Sequence, residues 1–204
     1  MSGPRAKVPR VKDSVARIHR LIGNLRPFDA LEVQHRSETL AWLENTDDVF
    51  RRVKPSTPPR HLVSYIVPFD PRHGSYLLVD HIDAGLWLPP GGHIDPDEHP
   101  AETARREMRE ELGVDAVFAE IDGRGEPKPT LLTVTPTVGA SQGHDDVSLW
   151  FRVKLSRSTP LVIDRVEFRE ARWWSEPDIR AADSSSFDPH FTRFLTKASV
   201  NSRP

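Results

Sequence analysis

The sequence predicts a layered α/β (α+β) domain, a mixed β-sheet sandwiched between helices, with an N-terminal helical extension. Three observations carry this. From His61 onward several short apolar runs are bounded by turn residues, the texture of strands. One stretch among them, from Pro100 to Leu112, changes to helical periodicity. The length of 204 residues, with 37% hydrophobic and 28% charged, suits one ordinary core plus an appendage.

The elements follow in order. Residues 1–12 form a loose basic tail without the apolar stretch of a secretory leader. From Asp13, Val15, Ile18 and Ile22 share one helical stripe that stops at Gly23, and a second helix runs from near Asp29, carrying Leu31, Leu40 and Leu43, to about Asn45. "KPSTPP", Lys54 to Pro59, is expected to be a stiff linker. "HLVSYIVPF" and "SYLLVDH" flank the turn "DPRHG" as a hairpin, and "LWLPPGG" is a short strand entering a loop. "TLLTVTPTV", "VSLWFRVKL" and "EARWW" are further strands. Two short helices close the chain, one near Glu176 and one capped by Asp188 with Pro189 at its first position. The organisation is thus a tail and helical extension over 1–59 and one folded domain over 60–204.

Composition excludes several functions. A net charge of −2 gives no basic footprint for nucleic acid. The absence of cysteine removes disulfides, thiolate zinc sites and thiol catalysis. No run of about 18 apolar residues is present to span a membrane, so a cytoplasmic protein is the expectation. The apolar stripes of the extension call for a partner, either the folded domain or a second copy in a homodimer. Nine histidines occur without a linear zinc-ligand spacing such as HExxH.

The chemistry concentrates in "GGHIDPDEHPAETARREMREELGV", Gly91 to Val114. Ala101, Ala104, Met108 and Leu112 form the apolar stripe of one helix. Glu107, Glu110 and Glu111 share a neighbouring face at spacing i, i+3, i+4, whereas a solvated helix usually intersperses its charges. A divalent cation would turn that repulsion into attraction, since carboxylate oxygens suit hard cations. By composition alone, a water-facing acidic helix remains the competing reading.

The same stretch resembles the Nudix box, the signature of the Nudix hydrolases (MutT-like): Gly92, Glu98, Arg106, Glu107, Met108, Glu110, Glu111, Gly113 and Val114 each fall in place. The resemblance implies a Nudix-type mixed sheet between helices and Mg²⁺- or Mn²⁺-dependent hydrolysis of a diphosphate linkage. The implied substrate is a small nucleoside diphosphate derivative: a nucleoside triphosphate, ADP-ribose or a nucleotide sugar. It assigns Glu107, Glu110 and Glu111 as metal ligands, joined by the carbonyl of Gly91, and Arg106 with Glu98 as a pair buttressing the loop. Glu167 or Glu170 is the candidate fourth carboxylate. His81, His93, His99 and His144, with Asp145 and Asp146, are candidates to reach the site or its substrate. Trp87, Trp150, Trp173 and Trp174 are expected in the core rather than on a base. The alternative function is a non-catalytic Nudix module that senses a nucleotide.

Overall fold

The computed structural model describes residues 11–54, 57–137 and 143–201. Its elements are α1 (Val11–Gly23), α2 (Ala30–Asn45), β1 (Arg60–Asp70), β2 (Ser75–His81), β3 (Leu86–Leu88), β4 (Gly91–His93), α3 (Pro100–Leu112), β5 (Leu131–Pro136), β6 (Asp145–Lys154), β7 (Phe168–Ser175), α4 (Glu176–Ala181) and α5 (Phe191–Asn201).

One mixed seven-stranded sheet runs in the order β3-β2-β1-β6-β5, with β4 pairing β1 and β7 pairing β2. β1 and β6 are parallel, from Arg60 opposite Asp145 to Phe69 opposite Lys154. β7 lies along β2 from Ser75 to His81, so β1 and β3 share the other edge of β2. β4 lies antiparallel on β1, with His93 opposite Val63 and Gly91 opposite Tyr65.

Period-two alternation sends successive side chains to opposite faces. On β1, Leu62 and Ile66 join one core with α1 and α3, while Val67 joins a second core with α5. On β6, Leu149 and Phe151 take the first side and Trp150 the second. Both faces of the sheet are therefore covered, which is the predicted sandwich. Trp150 is fully buried, and its indole N–H donates to Thr133 Oγ1 at 2.9 Å. Trp174 is also buried, and Trp87 and Trp173 pack against the cores.

The N-terminal helices belong to this packing. Val15, Ile18, Ile22, Leu25 and Leu43 share one cluster with Leu62, Met108 and Leu149, so the chain covers their stripe itself. α2 departs from expectation, because Leu31 is exposed and the buried face carries Glu32, His35, Thr39 and Leu43. The reason lies in the sheet. β5 is the terminal strand, and an uncovered edge presents unpaired N–H groups. Glu32 Oε1 accepts from Leu132 N at 3.1 Å and His35 Nδ1 from Val134 N at 3.3 Å. Lys197 of α5 donates to both Glu32 oxygens, at 2.6 and 2.8 Å.

Four local expectations change. α1 starts at Val11, two residues before Asp13; residues 1–10 of the tail lie outside the described residues. Either side of residues 55–56 of "KPSTPP", which lie outside the described ones, the expected linker has its flanks bonded together: Thr57 N donates to Val53 O at 3.0 Å and Arg52 N to Thr57 O at 2.8 Å. The glycine loop is itself a short strand, β4. The last helix begins at Phe191, and Asp188 caps the turn before it by accepting from His190 N at 2.7 Å.

Candidate active site

The site is built on α3. His99 caps its start by accepting from Ala101 N, Pro100 occupies the first turn, and Gly113 closes it in the left-handed region at φ 70°. Ala101, Ala104, Met108 and Leu112 anchor the helix in the core. Glu107 and Glu111, one turn apart beside that stripe, are buried at 9% and 4% exposure. Glu110 sits at the rim, with its side chain 59% exposed.

The glycine strand is pressed against these carboxylates. Gly91 has φ 148°, and a Cβ there would lie 2.2 Å from Ser64 O, so only glycine fits. Its N–H donates to Glu111 Oε2 at 2.8 Å. A Cβ on Gly92 would lie 2.2 Å from Glu107 Oε1. Arg106 locks strand, loop and helix together. Nη2 donates to Glu98 Oε2 at 3.0 Å and to His93 O at 3.2 Å, and Nη1 to Glu107 Oε1 at 2.7 Å and Glu110 Oε2 at 3.2 Å. Thr103 Oγ1 donates to Glu98 Oε2 at 2.8 Å, holding that carboxylate in place.

These groups face a cleft of about 550 Å³ whose walls include Glu107, Glu111, Glu167, Asp188, His81, Arg51 and Lys54. Burial pushes Glu111 up to about 9, and the charges of Glu107 and Glu167 add to the effect. Burial also raises Glu107, although Arg106 beside it pulls the other way. Burial likewise raises Asp188 to about 7, against the N–H bond from His190. Such shifts mark carboxylates crowded together away from water, where a cation would be favoured.

A second group stands at the same cleft, with His93, His144 and Asp146 in its wall and His61 buried behind them. His61 on β1, His93 on β4, His144 just before β6 and Asp146 on β6 bring one donor atom each within 4.8 Å of one another. Burial, with the charge of Arg51, holds His93 down at about 2, and burial lowers His144 as well.

The sequence candidates thus separate. Glu107, Glu111, Gly91, Gly92, His81, His93, His144, Asp146 and Glu167 line the cleft. Glu110 at the rim and Glu98 behind the loop both bind Arg106, and Glu170 is an exposed position on β7. His99 serves as the helix cap. Asp145 pairs with Arg60 at 2.8 Å. Arg51, Lys54, His61 and Asp188 carry no local motif. His61 reads as the first residue of a strand, and Arg51 and Lys54 come before it in the chain. Only the parallel pairing of β1 with β6 places His61 opposite Asp146.

A family model described as the NUDIX domain matches residues 59–195. The chain belongs to the Nudix family. Shorter stretches match characterised members: 57% identity over 59 residues with a rat bis(5'-nucleosyl)-tetraphosphatase, covering 28% of this chain and 37% of the relative. A CTP pyrophosphohydrolase of Escherichia coli is 35% identical over 63 residues, 29% of this chain and 47% of the relative. The matched stretches span less than half the length of these relatives. Among solved structures, a MutT protein from Methanosarcina mazei superposes with TM-score 0.55 at 20% identity, covering 70% of this chain and 95% of the other. The Nudix domain of Shewanella oneidensis NrtR, complexed with ADP ribose, gives TM-score 0.52 at 20% identity over 69% and 86%. These structures show that the Nudix fold is shared. No helix among the described residues is long and apolar enough to cross a membrane.

Proposed function

We propose that this Nudix protein is a metal-dependent pyrophosphohydrolase that cleaves the diphosphate linkage of a nucleoside diphosphate derivative by water attack at phosphorus. The observation that carries the reading is the pair Glu107 and Glu111, buried in one cleft against a glycine strand, with the Glu111 carboxyl raised to about 9. All-oxygen donors of this kind fit Mg²⁺ or Mn²⁺. Glu107 and Glu111 would hold the ion, with the Gly91 carbonyl and the rim carboxylate of Glu110 completing the set. When bound, the ion neutralises diphosphate oxygens and lowers the pKa of a coordinated water.

The chain's own groups do the rest. Arg106 fixes the orientation of Glu107 and Glu110 while Glu98 holds Arg106. Glu167, across the cleft and within electrostatic reach of Glu107 and Glu111, is the candidate general base that takes the proton of the attacking water. Arg51, Lys54 and His81 line the cleft where phosphate oxygens would lie. This balance explains how a protein of net charge −2 could handle a polyanion: the positive charge is local and partly supplied by the ion.

The relatives' names point to nucleotides with phosphoanhydride bonds, including dinucleoside tetraphosphate and CTP. The test is a panel of nucleoside triphosphates, ADP-ribose, nucleotide sugars and dinucleoside polyphosphates with Mg²⁺ and with Mn²⁺. Products are resolved by chromatography. We expect metal-dependent cleavage between phosphates of at least one member. Binding of nucleotide without turnover across the panel would favour the sensing module instead.

A further inference from the structure

His61, His93, His144 and Asp146 are held in place by three strands, and the box carboxylates do not need them. We propose that they form a site for a borderline divalent metal ion, zinc foremost, separate from the carboxylate site on α3.

His61 Nε2 lies 2.9 Å from His93 Nε2 and 3.1 Å from Asp146 Oδ1. Asp146 Oδ1 lies 3.5 Å from His144 Nε2 and 4.0 Å from His93 Nε2. Bonds of zinc length place the corners of a tetrahedron roughly 3.3 Å apart. Four of the six donor pairs stand at 2.9–4.0 Å and all lie within 4.8 Å, each donor on a different part of β1, β4 or β6 or on the residue before β6.

Hydrogen bonding then shows which atoms face inward. His61 Nδ1 lies 2.9 Å from Pro58 O, and a carbonyl can only accept, so the proton is on Nδ1. Thr137 Oγ1 donates its hydrogen to His144 O at 3.0 Å and so accepts from His144 Nδ1 at 3.1 Å. In the neutral rings both arrangements leave a lone pair on Nε2; that of His61 faces His93 Nε2 at 2.9 Å, and both Nε2 atoms lie within 3.5 Å of Asp146 Oδ1. This is the outer-shell pattern that orients metal-bound imidazoles, with the far nitrogen tied to a carbonyl or hydroxyl.

Asp146 Oδ1 completes the case. It is buried and accepts no hydrogen bond, although three ring nitrogens surround it. A buried carboxylate oxygen facing imidazole lone pairs is costly unless a cation lies between them. Three nitrogens and one oxygen suit zinc and its neighbours Co²⁺, Ni²⁺ and Fe²⁺ rather than Mg²⁺, which prefers oxygen donors. His93 follows Gly92, which abuts Glu107, so an ion here would also brace the glycine strand.

The full-length protein is incubated with Zn²⁺ or Co²⁺, desalted, and its metal content measured; Co²⁺ also reports its coordination by visible absorption. We expect about one equivalent to be retained, a tetrahedral Co²⁺ spectrum, and a Tm that falls on chelation. Glu107→Gln/Glu111→Gln should retain the ion. His144→Ala should weaken binding by at least about 10–100-fold, the loss that even an outer-shell change brings. Asp146→Asn keeps the side-chain shape should the histidine variant fail to fold, and it should show the same weakening. Wild type holding no more than background metal would overturn the proposal. So would retention that is lost in the glutamate variant but kept in Asp146→Asn.

Discussion

Gly92 shows how tightly the site is specified at single residues. Its backbone is ordinary, but any Cβ there would run into the carboxylate of Glu107. In Gly92→Ala the new methyl group would meet only the flexible end of that side chain, so the fold should survive while the carboxylate moves. A displacement of about 1 Å at a catalytic centre costs on the order of 10² in rate. Turnover should fall by about that much with Tm nearly unchanged; unaltered turnover would mean that Glu107 is not held where the site needs it. Glu107 and Glu111 stand out in the sequence because their spacing breaks the sign alternation of a surface helix. Glu110 shares that spacing, yet it lies at the rim and binds Arg106, a difference that depends on which flank of α3 meets the glycine strand. His61 and Asp146 are 85 positions apart and have no local signal, since only the β1–β6 register joins them.

Among the elements, α3 was readable because its proline start, glycine stop and apolar stripe all agree. The strands were readable from alternation and turn residues. α2 was readable as a helix, but its buried face was not, because that face is polar and meets the exposed edge of β5. The junction depends on Glu32, fully buried, which accepts from Phe28 N, Leu132 N and Lys197 Nζ. Removing one partner of such a pair leaves a charge buried alone, at a cost of about 3–5 kcal/mol. Glu32→Ala should therefore destabilise the whole domain by about that amount. Chemical denaturation checks this, and a loss no larger than that of a surface substitution would separate α2 from the folding unit.

At the scale of the molecule, two groups of potential donors meet at one cleft: the carboxylates on α3 and the His61, His93, His144 and Asp146 cluster on and beside the strands. The sheet order explains the convergence, because β1 carries β4 on one edge and β6 on the other, and α3 packs on β4 and β1. Membership of the Nudix family and the mixed sheet between helices were legible in the box and its flanks. The cleft's full lining was not, since it draws on residues from Arg51 to Pro189 that only tertiary folding gathers. The central claim is that Glu107 and Glu111 make a metal-dependent hydrolytic centre. The most direct test is turnover of the best panel substrate across a Mg²⁺ titration for wild type, Glu111→Gln and Glu102→Gln. Glu102 is exposed in the first turn of the same helix, beside Arg105. Loss of a metal ligand removes several kcal/mol of transition-state stabilisation, and about 1.36 kcal/mol is tenfold in rate. Glu111→Gln should lose on the order of 10²–10⁴ in kcat and require more Mg²⁺, while Glu102→Gln matches wild type. Equal turnover and equal Mg²⁺ dependence of the two variants would contradict the account and leave α3 an acidic helix without catalytic duty.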